Sequence, residues 1–163
     1  MNPALQNYPN GGIDPTLQNR RTGRFQYSIR LVGIFLRSYI PSMTWIVEYT
    51  DEFGRWWDGL TEDEQEDVAA AVALLEARGP QLPYPYSSGI EESRHAHMRE
   101  LRIQHRGRPI RVLYAFDPRR VAILLVGGDK TGDDRWYRKS VPLADRLYDD
   151  HLRTLAKEAG EDG

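Results

Sequence analysis

Residues 98–126 read MRELRIQHRGRPIRVLYAFDPRRVAILLV, and this stretch decides the fold. It contains three extended runs, Met98 to Gln104, Ile110 to Phe116 and Val121 to Val126. Arg106-Gly107-Arg108 joins the first pair and Asp117-Pro118-Arg119 the second. Both connections are short enough for antiparallel hairpins. The run Val121 to Val126 is apolar throughout, the pattern of a central strand covered on both faces. Tyr114 alternates with Ile110, Val112 and Phe116 and is therefore assigned to the core.

Upstream, Trp45 to Tyr49 alternates, with Trp45, Val47 and Tyr49 on one side, and is predicted to be a strand. Asp51 is placed to cap a short helix carrying Phe53, Trp56, Trp57 and Leu60 at i, i+3, i+4 and i+7. Thr61 followed by Glu64 is a capping box and opens a second helix, with Val68, Ala71, Val72 and Leu75 as its stripe. Gly79-Pro80 ends it, and Pro80 to Gly89 reads as a turn-rich loop. Downstream, Gly127 to Lys139 reads as a polar loop, and Pro142 starts a last helix. Ala144, Leu147, Tyr148, His151, Leu152 and Leu155 form one face of that helix. The expected fold is α+β: a small, mostly antiparallel sheet with two N-terminal helices on one face and a C-terminal helix. A disordered extension is expected to precede it.

That extension is residues 1–42, where Pro3, Pro9, Gly11, Gly12 and Pro15 interrupt a polar stretch without periodicity. Met43 looks like an alternative start, so residues 1–42 read as a dispensable extension or a mis-assigned start, and 43–159 as the domain. With no cysteine, the 163-residue chain has no disulfide scaffold, thiolate metal site or Cys nucleophile, and it suits a reducing cytoplasm. No apolar run is long enough to span a membrane, and Leu31 to Leu36 is too short for a secretory core.

The net charge of -2 hides an asymmetry. Residues 44–93 hold two Arg against twelve acids, while residues 94–139 hold twelve Lys or Arg against five acids. A basic central segment is a candidate polyanion site. It is equally a sheet face whose arginines pair with helix acids. The acids themselves crowd the first turns of the helices, where the helix dipole favours them.

Arg99-Glu-Leu-Arg-Ile103, Arg111-Val-Leu-Tyr-Ala-Phe116 and Leu125-Val-Gly-Gly-Asp-Lys-Thr131 together resemble the HigB-like toxins of the RelE/ParE superfamily, including their phage-derived branch. The resemblance covers roughly residues 43–155. It implies a RelE-like fold and a type II toxin–antitoxin toxin: a metal-independent endoribonuclease that cuts messenger RNA, associates with the ribosome and inhibits translation. It also implies a helix-turn-helix antitoxin partner of the HigA type, and no cofactor. Two alternatives stay open, a ParE-like gyrase inhibitor without nuclease chemistry and an inactive relic that only binds its antitoxin.

Cutting RNA without a metal requires deprotonating a ribose 2′-hydroxyl, stabilising charge on the phosphate and protonating the departing 5′-oxygen. By resemblance, Arg102 and Arg111 occupy adjacent-strand positions where RelE-type toxins keep cations, and Lys130 and Tyr137 the loop region with further catalytic groups. Arg111 has a structural ion pair as its rival reading, and Tyr137 a ring that stacks on a base or covers the core. Glu100 is either a proton acceptor or an orienting partner for an arginine. Arg99, Arg106, Arg108 and Arg135 are candidate RNA contacts, and Trp136 either stacks on a base or covers the core.

His95 and His97 share a strand face but lack a third ligand, so no metal site is expected. His105 is a conceivable proton shuttle, and His151 falls on the apolar stripe of the last helix. The general base stays unassigned. Gly128-Asp-Lys-Thr131 is not a phosphate loop, because Asp129, not glycine, precedes Lys130.

Overall fold

The structure, a computed structural model, describes Thr22–Arg24 and residues 44–161. Its elements are β1 (Thr22–Arg24), β2 (Val47–Thr50), α1 (Asp51–Asp58), α2 (Glu62–Arg78), β3 (Ser87–Gly89), β4 (Arg99–His105), β5 (Arg108–Phe116), β6 (Ala122–Asp129) and α3 (Trp136–Glu161). The sheet order is β1-β2-β6-β5-β4-β3. β2 runs parallel to β6, and every other pair is antiparallel. The expected α+β architecture is present. Apart from Thr22–Arg24, which pair with β2 as β1, the stretch 1–42 read as a disordered extension lies outside the described residues.

Local chemistry sets most element boundaries. Thr61 accepts from the Glu64 amide while the Glu64 side chain accepts from the Thr61 amide, so the capping box forms. Such caps contribute about 1 kcal/mol. α1 corrects the sequence reading, because Thr50 rather than Asp51 is its cap: Thr50 Oγ1 accepts from Phe53 N at 3.2 Å and donates to the Leu125 carbonyl at 2.8 Å. One hydroxyl therefore both starts α1 and ties it to the central strand. The β4–β5 turn needs only Arg106 and Gly107, both at positive φ (48° and 80°), as a two-residue hairpin turn of primed type requires.

Two cores fill the two faces of the sheet. On one face, Phe53 and Trp57 of α1 and Val68, Val72 and Leu75 of α2 pack on Leu101, Ile103, Ile110, Val112, Tyr114 and Leu124. Tyr114 is fully buried, as its alternation required. On the other, Trp136, Val141, Ala144 and Tyr148 of α3 pack on Met98, Leu113, Ala115, Ile123 and Leu125. β6 lies between both, which explains its unbroken apolar run.

β2 and β5 start two residues away from their sequence readings, and three further differences bear on the site. β3 lies within the segment read as a loop; three residues are too few to show an alternating pattern. β6 continues through Gly127, Gly128 and Asp129. Those glycines are packing residues: a Cβ at Gly127 would overlap the Trp56 ring, and one at Gly128 the Trp136 indole. α3 begins at Trp136, six residues before Pro142, which sits inside the helix. Trp136 and Tyr137 thus belong to the first turn of a helix and not to a loop.

Candidate functional site

The period-two alternation of strands decides which side chains share a face. In β4, Leu101 and Ile103 face α1 and α2, so Glu100 and Arg102 point to the α3 side with Met98. In β5, Arg111 shares that side with Leu113 and Ala115. Arg102 stands directly opposite Arg111, and Arg111 opposite Gly128 of β6. The β5–β6 register slips between Leu113 and Tyr114, which leaves Leu125 as an extra residue. This bulge resets the alternation and brings Gly128 and Lys130 to the face carrying Arg111. The bare backbone of Gly128 admits Trp136, and the next residue of α3, Tyr137, reaches over β5 to β4.

Glu100 is where these elements meet. Its side chain is 4% exposed. Oε1 accepts from Ser88 Oγ at 2.8 Å and from Arg102 Nη1 at 2.9 Å, and Oε2 accepts from the Tyr137 hydroxyl at 2.7 Å. Arg111, 3% exposed, lies with Nε 3.8 Å from Oε2 and donates through Nη1 to the Ile110 carbonyl at 3.0 Å. Its Nε has no hydrogen-bond partner among the described residues. Lys130 Nζ lies 5.6 Å from the Tyr137 ring centroid. Burial, and then the neighbouring Glu100 carboxylate, push the Tyr137 phenol up to about 12, with Arg111 acting in the opposite direction. At neutral pH this hydroxyl keeps its proton and is a donor.

All five residues singled out for chemistry therefore converge, though not in equal positions. Arg102, Lys130 and Tyr137 are partly exposed and can meet a ligand. Glu100 and Arg111 are buried beneath them. Both Glu100 oxygens are occupied by donors, so of its two sequence readings the geometry fits the orienting partner rather than the proton acceptor.

The candidate RNA contacts divide. Arg99 points to the opposite face, where it donates to Ser87 Oγ at 3.1 Å, so it does not join the cluster. Arg106 pairs with Asp63, and Arg108 with Glu64 and with Asp129 at 2.7 Å, which ties the β4–β5 hairpin to the start of α2. Hydrogen bonds from Arg108 hold the Glu64 carboxyl below its usual range. For this hairpin the second reading of the basic segment applies, arginines pairing with helix acids. Arg135 is exposed just before α3. Trp136 is 7% exposed and packed on Gly128, so its ring is core and not a stacking surface.

The histidines are likewise structural in their contacts. His105 Nδ1 meets Asp67 at 2.6 Å, His95 meets Asp149 at 2.8 Å, and His97 meets the Tyr148 hydroxyl at 3.0 Å. His151 is buried against Asp117 at 2.9 Å. Among the described residues no three His, Cys, Asp or Glu are grouped to hold a metal. No helix among them is long and apolar enough to cross a membrane. Sequence reasoning missed Ser88 and Tyr84, which neighbour the cluster from the segment read as a loop. Tyr84 and Tyr86, two aromatics in an otherwise turn-rich segment, were the available signal.

The family profile described as phage-derived protein Gp49-like matches residues 55–149, the stretch that carries α1 through most of α3. The chain belongs to this family, one of HigB/RelE-type toxins. It is similar to a candidate toxin, HigB3, of Mycobacterium tuberculosis, 43% identical over 99 residues, which cover 60% of this chain and 85% of the relative. A second candidate toxin of the same organism, HigB2, is 38% identical over 113 residues, 68% of this chain and 56% of the relative. No solved structure matches.

Proposed function

We propose that this chain is the toxin of a type II toxin–antitoxin system and a metal-independent endoribonuclease that cuts messenger RNA at the ribosome and so inhibits translation. One observation carries the reading: a buried carboxylate, Glu100, holds Arg102 and Tyr137 beside Lys130, all on the open part of one sheet face. Arg102 and Lys130 supply positive charge where charge builds on a scissile phosphate. Guanidinium donors match phosphate oxygens geometrically. Tyr137, protonated at neutral pH, is the group suited to give a proton to the departing 5′-oxygen when its hydroxyl exchanges Glu100 for the bound RNA. Glu100 and Arg111 are positioning residues in this scheme, since neither reaches solvent.

Membership in a HigB-type family supports a cognate antitoxin, of helix-turn-helix HigA type, encoded beside the toxin and neutralising it in the cytoplasm. Converging cations favour phosphate chemistry over gyrase binding, which needs none. Brief induction in cells followed by mapping of transcript 5′ ends tests the reading. New ends inside coding regions within minutes are expected. DNA breaks with SOS induction would support gyrase poisoning instead, and neither outcome would leave an antitoxin-binding relic.

A further inference from the structure

Among the described residues only three large apolar side chains are strongly exposed, Ile46, Tyr84 and Tyr86, and two of them stand on the segment leading into β3. Tyr84 is 71% exposed. Its ring is not isolated, because the Arg102 guanidinium carbon lies 5.3 Å from its centroid. The Arg102 amide donates to the Tyr86 carbonyl at 2.9 Å, which fastens the segment to β4. The same Arg102 is hydrogen-bonded to Glu100. A flat ring therefore stands open to solvent one side chain away from the Glu100–Tyr137 pair, held by the cation nearest to it.

We propose that Tyr84 is a stacking platform for one unpaired nucleobase of the RNA, with Arg102 holding a phosphate beside it. The inference rests on the reading of this site as one that handles RNA. A ring next to a guanidinium offers the two surfaces that single-stranded RNA presents in turn, a π face and a phosphate. Protein docking at this place is less well served, since β3 spans only three residues and is a poor template for strand addition. The cation keeps the ring oriented, and the exposed position gives every base access, so the platform would bias cleavage by stacking strength rather than by hydrogen-bond readout.

Short single-stranded RNAs carrying 2-aminopurine at each position in turn, free and on programmed 70S ribosomes, test the proposal against the full chain. Wild type and Tyr84→Phe are expected to quench the fluorophore at one position. Tyr84→Ala is expected to bind about tenfold more weakly, the scale of a single base–aromatic stack. The difference should vanish on RNA made abasic at that position. No quenching by the wild type overturns the proposal, as does equal binding by Tyr84→Ala or a loss that persists on the abasic RNA. Unchanged RNA binding with lost antitoxin capture also overturns it and assigns the ring to a protein partner. Transcript cutting that depends on Arg102 but not on Tyr84 removes the platform alone, whereas no cutting by the wild type removes the nuclease reading beneath it.

Discussion

The Tyr137 hydroxyl donates to Glu100 Oε2 at 2.7 Å, so the first turn of α3 and strand β4 share one buried carboxylate. With Ser88 and Arg102 on the other oxygen, three donors close around Glu100. Such charge-assisted hydrogen bonds are stronger than neutral ones and fix the orientation of the side chains that make them. The exposed cation and the phenol thus inherit their positions from a group that never meets solvent.

Tyr137→Phe should lower cleavage by about two orders of magnitude or more, the usual contribution of a proton donor. It should also change the alkaline limb of stability. The folded phenol sits near 12, above its ordinary value of about 10, so the unfolded chain loses this proton first. The stabilisation is complete below pH about 10 and is lost as pH rises toward about 12. Urea midpoints at pH 9 and 11.5 should fall more steeply for wild type than for Tyr137→Phe.

Arg102 and Arg111 should separate when each is changed to Ala. Arg102 is partly exposed, and Arg102→Ala should stay folded while cleavage drops roughly 100- to 1000-fold. Arg111 is buried, and its removal opens a gap beside Glu100 and takes away one of that carboxylate's two neighbouring cations, Arg102 remaining, at a cost of about 1–3 kcal/mol. Stability and cleavage should therefore fall together in Arg111→Ala. Melting curves run beside the rates decide it; a well-folded Arg111→Ala protein cutting at the wild-type rate would remove Arg111 even as a positioning residue.

Gly128→Ala should destabilise by about 1–3 kcal/mol, because the new methyl meets the Trp136 indole. Displacing Trp136 also moves Tyr137, so cleavage should fall with it. Adding Trp136→Leu to Gly128→Ala should restore part of the stability, which differential scanning calorimetry would register.

Asp117 contributes to the acid limb. Burial alone would raise its carboxyl, but hydrogen bonds from His151, Arg119 and the Val121 amide outweigh that and hold it below the usual range. A depressed carboxylate stabilises above its unfolded value near 4, and that stabilisation is lost as pH falls through the folded value. Asp117→Asn should be less stable at pH 7 and should show a flatter loss of stability below pH 4. Urea unfolding at pH 7 and pH 3 measures both effects.

Period-two runs, a capping box and a composition break made the α+β order legible from the sequence. The Gly127-Gly128 pair was misleading, because glycine signals a turn locally while here it makes room for Trp56 and Trp136. Pro142 misled in the same way: a helix can begin before a proline when the proline falls in its early turns. Alternation places Glu100 and Arg102 together, whereas Arg111, Lys130 and Tyr137 entered only through the family resemblance. Their depth was not legible. Burial of Glu100 and Arg111 depends on α3 laying Tyr137 across the face, a tertiary fact with no local signal. The pairing of Arg106 and Arg108 with α2 acids was likewise one of two open readings until the hairpin was seen against that helix.

The most direct test of the Glu100-organised site follows transcript 5′ ends within minutes of inducing the wild type and a folded Arg102→Ala variant, with soluble amounts matched. New ends inside coding regions are expected with the wild type, and at least a 100-fold loss of them with the variant. Equal cutting by both proteins, or no new ends with the wild type, would contradict the proposed role of this site.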